Sequence, residues 1–159
     1  MRSTGEVMGI GHDFPSAYDK AFLAAGDIIP TSGKVFLSLR TLDRGRLVEL
    51  GERISSQGFE IVATRTNQEI LQKAGLECTM VNKVSDGSPH IVDSIKNDEI
   101  KLIINSTEDN QGLEDAAVIR CQALIHKIPC TTTVAAAFAM LDGLKTHDKL
   151  VVRSIQSLY

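Results

Sequence analysis

Tryptophan is missing from this chain, and the aromatic complement is only five Phe and two Tyr. A core with so few large rings has to be assembled from Val, Ile, Leu and Ala. Positive charge is not in excess either. The formal net charge is −3, and no basic stripe interleaved with aromatics occurs, which argues against nucleic-acid binding. No apolar run reaches ~18 residues and no secretory leader is visible, so neither membrane spanning nor secretion is expected and a cytoplasmic setting is. Cys78, Cys121 and Cys130 are odd in number, lack metal-ligand spacing and lie in apolar segments. They read as reduced core residues. No Walker loop, GxGxxG or HExxH is present, so P-loop hydrolysis, dinucleotide redox chemistry and zinc proteolysis lack support. None of His12, His90, His126 and His147 accompanies a Ser or Cys in a nucleophile motif. No internal repeat appears.

What the chain does contain is a strict alternation of apolar runs and amphipathic stretches. After a glycine-bearing entry over residues 1–14, read as a linker from a preceding domain, Pro15 opens a helix that Gly26 ends. Lys34 to Arg40 is the first strand, followed by a helix from Asp43 to Gly58 with Leu47, Leu50 and Ile54 inside. Phe59 to Asn67, FEIVATRTN, is an apolar run ending in a polar turn. Thr66 or Asn67 is the expected cap of the helix that runs to Gly75. A third strand over Glu77 to Val84, a helix opened by Pro89, a fourth strand over Lys101 to Thr107, a helix over Asn110 to Lys127 and a fifth strand over Ile128 to Thr133 complete the pattern before VAAAFAMLDG. Five such alternations predict an α/β fold: three α/β/α layers around a five-stranded, mostly parallel, Rossmann-like sheet, as one domain over 15–144. Residues 145–159 are a C-terminal tail whose VVRSI is either an edge strand or a docked segment.

A parallel sheet brings its strand ends to one edge, where open α/β sheets bind ligands. Here those ends carry Ser38 to Arg44, Thr64 to Asn67, Asn82 and Lys83, Asn105 to Thr107, and Thr131 to Thr133. Hydroxyls, amides and two cations in one rim suit a small phosphorylated or carboxylated ligand. Lys83 is a point charge, Arg44 can clamp two oxygens, and the amino end of the helix after Thr64 favours an anion. Asp86, Asp93, Asp109, Glu114 and Asp115 are carboxylates near this rim and leave an acid–base role open.

STGEVMG at Ser3–Gly9, QGFEIVAT at Gln57–Thr64, MVNKV at Met80–Val84, DGSPHIVDSIKN at Asp86–Asn97, IINST at Ile103–Thr107 and EDAAVIR at Glu114–Arg120 together resemble one family. It is the methylglyoxal synthase-like C-terminal allosteric domain of carbamoyl-phosphate synthetase large subunits, and the likeness runs from Ser3 to about Leu144. The resemblance implies a regulatory domain, itself non-catalytic and without a cofactor, that binds nucleotide monophosphates such as UMP or IMP and contributes to ornithine activation. By motif, Lys83, Thr64, Asn105, Thr107, Arg44, Asn67, Ser38 and Thr133 would contact the nucleotide, and Asp115 and Thr132 ornithine. The parent enzyme would be a glutamine-hydrolysing ligase using ATP with Mg or Mn and K, its preceding domains and small glutaminase subunit the macromolecular partners, and pyrimidine and arginine biosynthesis its pathways. The alternative on this fold is a methylglyoxal synthase-type phosphate-eliminating lyase. Its Gly-Gly-Asp-Gln-Gln and Asp-Pro segments are replaced here by SDGSPHIVD and NSTED.

Overall fold

The computed structural model describes residues 6–107, 110–147, 151–152 and 154–158. All five strands run parallel, in the order β3-β2-β1-β4-β5, where β1 is Gly33–Ser38, β2 Phe59–Ala63, β3 Thr79–Met80, β4 Ile100–Asn105 and β5 Cys130–Thr131. Among the described residues six α-helices accompany them: α1 Phe14–Ala25, α2 Leu47–Ser56, α3 Arg65–Lys73, α4 Ile91–Lys96, α5 Asn110–Ile125 and α6 Val134–Leu144. The expected α/β sandwich is present, and both faces of the sheet are covered.

Side-chain alternation along β1 divides the core in two. Val35 and Leu37 point into a cluster with Leu47, Leu50 and Ile54 of α2, Leu71 of α3 and Met140 and Leu141 of α6. Phe36 points the other way, against Ile91 and Ile95 of α4 and Ile119 and Ala123 of α5. In β4 the register slips between Lys34 and Val35 of its neighbour, so Ile100 pairs with the first and Leu102 with the second. Lys101 is the extra residue of this irregularity, and the bulge lets Ile100 and Ile103 face one cluster while Leu102 and Ile104 face the other. Both central strands are therefore apolar on both faces, as parallel sheets require.

Several element limits differ from the sequence reading, each for a local reason. The third strand keeps only Thr79–Met80, because it lies at the sheet edge and has one neighbour to pair with. The helix after β2 begins at Arg65, so Thr66 and Asn67 lie in its first turn and do not cap it. The α4 helix starts at Ile91 with His90 at the cap position, which leaves Pro89 outside. The stretch before α2 winds as a 3₁₀ helix over Thr41–Arg46. Cys121 is exposed, contrary to the expectation of a core residue; Cys78 and Cys130 are half-buried, and all three thiols are free. Burial pushes the Cys78 thiol up to about 11 and raises that of Cys130, so these two are weak nucleophiles at neutral pH. Among the described residues no helix is long and apolar enough to cross a membrane.

Gly9, Ile10 and Val151 all meet α1. Gly9 approaches so closely that a Cβ there would lie 2.0 Å from the Ala17 carbonyl oxygen. The Lys20 ammonium donates to the carbonyls of Ile10 at 2.9 Å and Val151 at 2.7 Å. Val151 and Val152 form no strand, and Ile155–Leu158 is a 3₁₀ turn. Asp19 of α1 is fully buried, and its carboxylate meets the His147 imidazole Nδ1 at 3.0 Å. Removing the partner of a buried charged group leaves its desolvation uncompensated. His147→Ala should therefore lower the unfolding free energy by about 2 kcal/mol or more, measured by urea denaturation. No change would show that water satisfies Asp19 equally well.

Candidate functional site

Winding reverses direction between β1 and β4. The chain leaves β1 toward α2 on one face and leaves β4 toward α5 on the other, so the tips of these adjacent strands open a crevice between them. A cavity of about 170 Å³ occupies it. Ser38 to Thr41 and Arg44 line it from the β1 side, Thr64, Thr66 and Asn67 from β2 and α3, and Lys83 to Ser85 from the segment after β3. Asn105 to Thr107 line it from β4, Asp115 and Ile119 from α5. Phe36 and Ile91 add apolar wall.

Of the rim residues expected from sequence, Ser38, Arg44, Thr64, Asn67, Lys83, Asn105 and Thr107 come together in this cavity. Thr133 does not line it. Its hydroxyl accepts from the Ala136 N–H at 3.2 Å and so caps α6. Thr132 is exposed and also outside the lining, whereas Asp115 is inside, so these two do not share the cavity. The reason is strand order: β5 is the outermost strand on its side, and the cavity spans β1 and β4 with β2 and β3 beyond. Arg40, Thr41 and Ser106 line the cavity as expected of the rim, whereas Ser85 lines it and was missed, since its place beside Asp115 is visible only once the order of strands is known.

The floor is a closed network of hydrogen bonds. Asn67 is 2% exposed, and its carboxamide spans the Leu39 backbone: Oδ1 accepts from the N–H and Nδ2 donates to the carbonyl, both at 3.3 Å. Nδ2 also donates to Thr64 Oγ1 at 3.0 Å, and Thr64 Oγ1 lies 3.3 Å from Ser38 Oγ. Thr64 therefore occupies the cap position of α3 without making a side-chain cap. First-turn N–H groups have no intrahelical acceptor, so the amino end of α3 faces the cavity with donors available. Asn67 lines the cavity as expected, but its side chain serves the fold and offers little to a ligand.

The opposite wall is held by Ser106, whose N–H donates to the Ser38 carbonyl at 3.0 Å and whose Oγ accepts from the Arg40 N–H at 3.1 Å. Asp43 faces the same hydroxyl. Burial alone would raise its carboxyl, but hydrogen bonds from Ser106 and Arg40, with the Arg40 charge, outweigh that and hold it below the ordinary carboxylate value. The Arg40 Nε to Asp43 distance is 2.9 Å. Arg40 is thus paired, whereas Lys83 has no ion-pair partner among the described residues. Arg44 Nε is buried with no acceptor. Asn105, at 5% exposure, has a side-chain amide without a protein partner among the described residues. Buried polar groups are almost always satisfied, so the buried Arg44 Nε stands out, while Lys83 is exposed at the cavity's edge.

Acid–base groups are sparse at this point. Asp86, Asp93 and Glu114 do not line the cavity, and Asp109 lies outside the described residues. Asp115 does line it, with Oδ2 accepting from Ser85 Oγ at 2.9 Å. None of the four histidines is among the lining residues.

Comparison with known proteins places this geometry in a lineage. Residues 46–132 match the family described as MGS-like domain. The chain is 45% identical to the carbamoyl phosphate synthase large chain of Pseudomonas putida, and 46% identical to those of Pseudomonas syringae pv. tomato and Pseudomonas aeruginosa. In each case the alignment takes in 100% of this chain and 15% of the relative's length.

Two outcomes follow from the network. Asn67→Ala strands the Leu39 N–H and carbonyl and should lower stability by about 1–3 kcal/mol, while Thr66→Ala, at an exposed position, should be close to neutral; equal effects in urea denaturation would contradict the clasp. Because the folded Asp43 carboxyl is depressed, its contribution is present at neutral pH and is lost as pH falls through its folded value, below the ordinary carboxylate range. Asp43→Asn should therefore flatten the acid limb of the stability profile there; an unchanged limb would remove Asp43 from the account.

Proposed function

The chain belongs to the MGS-like domain family, and on that premise we propose that it is a regulatory module whose cavity binds a nucleoside monophosphate, of which UMP and IMP are the candidates. The observation that carries this reading is the set of three donors without a partner among the described residues, Lys83, Arg44 Nε and the Asn105 amide, in one cavity with the amino end of α3. A phosphate takes the cations and the helix end, since charged hydrogen bonds and the dipole both favour an anion there. Asn105, Thr107 and Asp115 supply mixed donors and acceptors suited to ribose hydroxyls. Phe36, Ile91 and Ile119 supply apolar surface for a base.

The chain spans 15% of the length of the curated relatives it matches. We place it accordingly as one domain of a carbamoyl-phosphate synthase large chain, a glutamine-dependent ligase in which ATP, its divalent and potassium ions and the glutaminase subunit belong to other parts. Ligand in the cavity would then act by favouring one state of the whole enzyme over another, which requires different affinities for the two. Ornithine response is a weaker extension of the same reading, because Asp115 and Thr132 sit in different places. The lyase alternative needs an acid–base pair at the anion, and Asp115 is the one carboxylate among the lining residues.

Calorimetric titration with UMP, IMP and inorganic phosphate tests the proposal. We expect saturable binding, and Lys83→Ala should weaken it by about 10- to 150-fold, the range for one charged hydrogen bond of about 1.5–3 kcal/mol. Unaltered affinity in that variant would move the phosphate elsewhere. Release of inorganic phosphate from dihydroxyacetone phosphate by the same protein would replace the regulatory reading with the lyase.

A further inference from the structure

Asp115 lines the same cavity as Lys83 and Arg44, and a carboxylate repels any anion that comes to those cations. Helix α5 sets it there together with Ile119, since residues four apart share a helix face. Its Oδ2 accepts from the Ser85 hydroxyl at 2.9 Å and from the Ser85 N–H at 3.4 Å. Oδ1 has no hydrogen-bond partner among the described residues. Ser85 lies two residues beyond Lys83, in the 3₁₀ turn Val84–Asp86. That turn belongs to a loop closed on itself: the Asn82 amide donates to the Pro89 carbonyl at 3.0 Å, and Asp86 accepts from the Lys83 N–H at 3.1 Å. Ser85 is thus the tie between the Lys83 loop and α5, yet Lys83 and Asp115 make no ion pair.

Two consequences follow from that tie. Ser85 occupies the carboxylate oxygen that would otherwise neutralise Lys83, and it leaves Oδ1 as the acceptor open to a ligand. A bare anion meets the cations and the carboxylate together, so part of what it gains from the first is lost to the second. A phosphate ester with hydroxyl groups nearby satisfies both, its phosphate on the cations and a hydroxyl donating to Oδ1. Resting on the reading of the cavity as a nucleoside monophosphate site, we infer that Ser85 and Asp115 form its selectivity element. Asp115 discriminates hydroxyl-bearing phosphate monoesters from inorganic phosphate, and Ser85 is the positioning residue that keeps the carboxylate off Lys83.

Calorimetric titration of the chain and its variants with UMP and with inorganic phosphate reads this as a ratio of affinities. Asp115→Asn keeps the size and an acceptor for Ser85 but removes the charge. Inorganic phosphate should then bind about two- to fivefold more tightly, the scale of one partly exposed charge interaction. UMP should bind more weakly, because its hydroxyls lose an anionic acceptor, and the ratio of the two affinities should fall by about tenfold. Ser85→Ala should weaken both ligands by about two- to fivefold as Asp115 turns to Lys83, and adding Asp115→Asn to it should restore phosphate binding. If Asp115 only braced the fold, both ligands would weaken together in Asp115→Asn; that result, or an unchanged ratio, overturns the selectivity element and leaves the cavity's proposed function standing. A chain that binds neither ligand before any substitution overturns the reading of the cavity, and the selectivity element with it.

Discussion

The site depends on one topological constraint: β1 and β4 are adjacent, yet the chain leaves their tips on opposite faces of the sheet. No crossover can cover the gap between them, so a crevice is obligatory there. Asn67 makes the crevice rigid. Its carboxamide takes up both polar groups of Leu39, fixing the end of β1 to the first turn of α3 and setting the distance between the helix's amino end and the Ser38 tip. A backbone N–H or carbonyl released there would be buried without a partner, which is why one small amide can hold the geometry.

Rigid walls explain how unpaired donors are tolerated. Leaving the buried Arg44 Nε without an acceptor among the described residues costs stability, and the apolar clusters on the two sheet faces supply the compensating burial. Arg40 and Asp43, by contrast, satisfy each other at 2.9 Å and brace the wall. Neighbouring arginines thus differ in pairing, Arg40 meeting a carboxylate and Arg44 Nε meeting no acceptor among the described residues.

The layers were legible in the sequence because both central strands are continuous apolar runs and α2 and α3 carry their apolar stripes at the right period. Lys83, Thr64 and Asn105 were legible as rim residues for the same reason: each follows directly on such a run. Strand order was not legible, and that alone misplaced Thr133, which follows a strand too far from the crevice and turns to capping α6. Asn67 was seen but misassigned, since an asparagine near a helix start reads as a cap until Leu39, 28 residues away in sequence, is known to lie beside it. Cys121 misled through its apolar neighbours, because α5 is apolar on both sides and the sequence pattern does not say which side meets the sheet.

On the proposed reading an anion sits between the amino end of α3 and the tips of β1 and β4. An amide-resolved NMR titration of the chain with UMP, run beside inorganic phosphate, tests it most directly. The account predicts saturable shifts at Arg65 to Asn67, Lys83 and Asn105 to Thr107, with Thr132 and Thr133 little moved. Shifts confined to other surfaces, or none with either ligand, would contradict it.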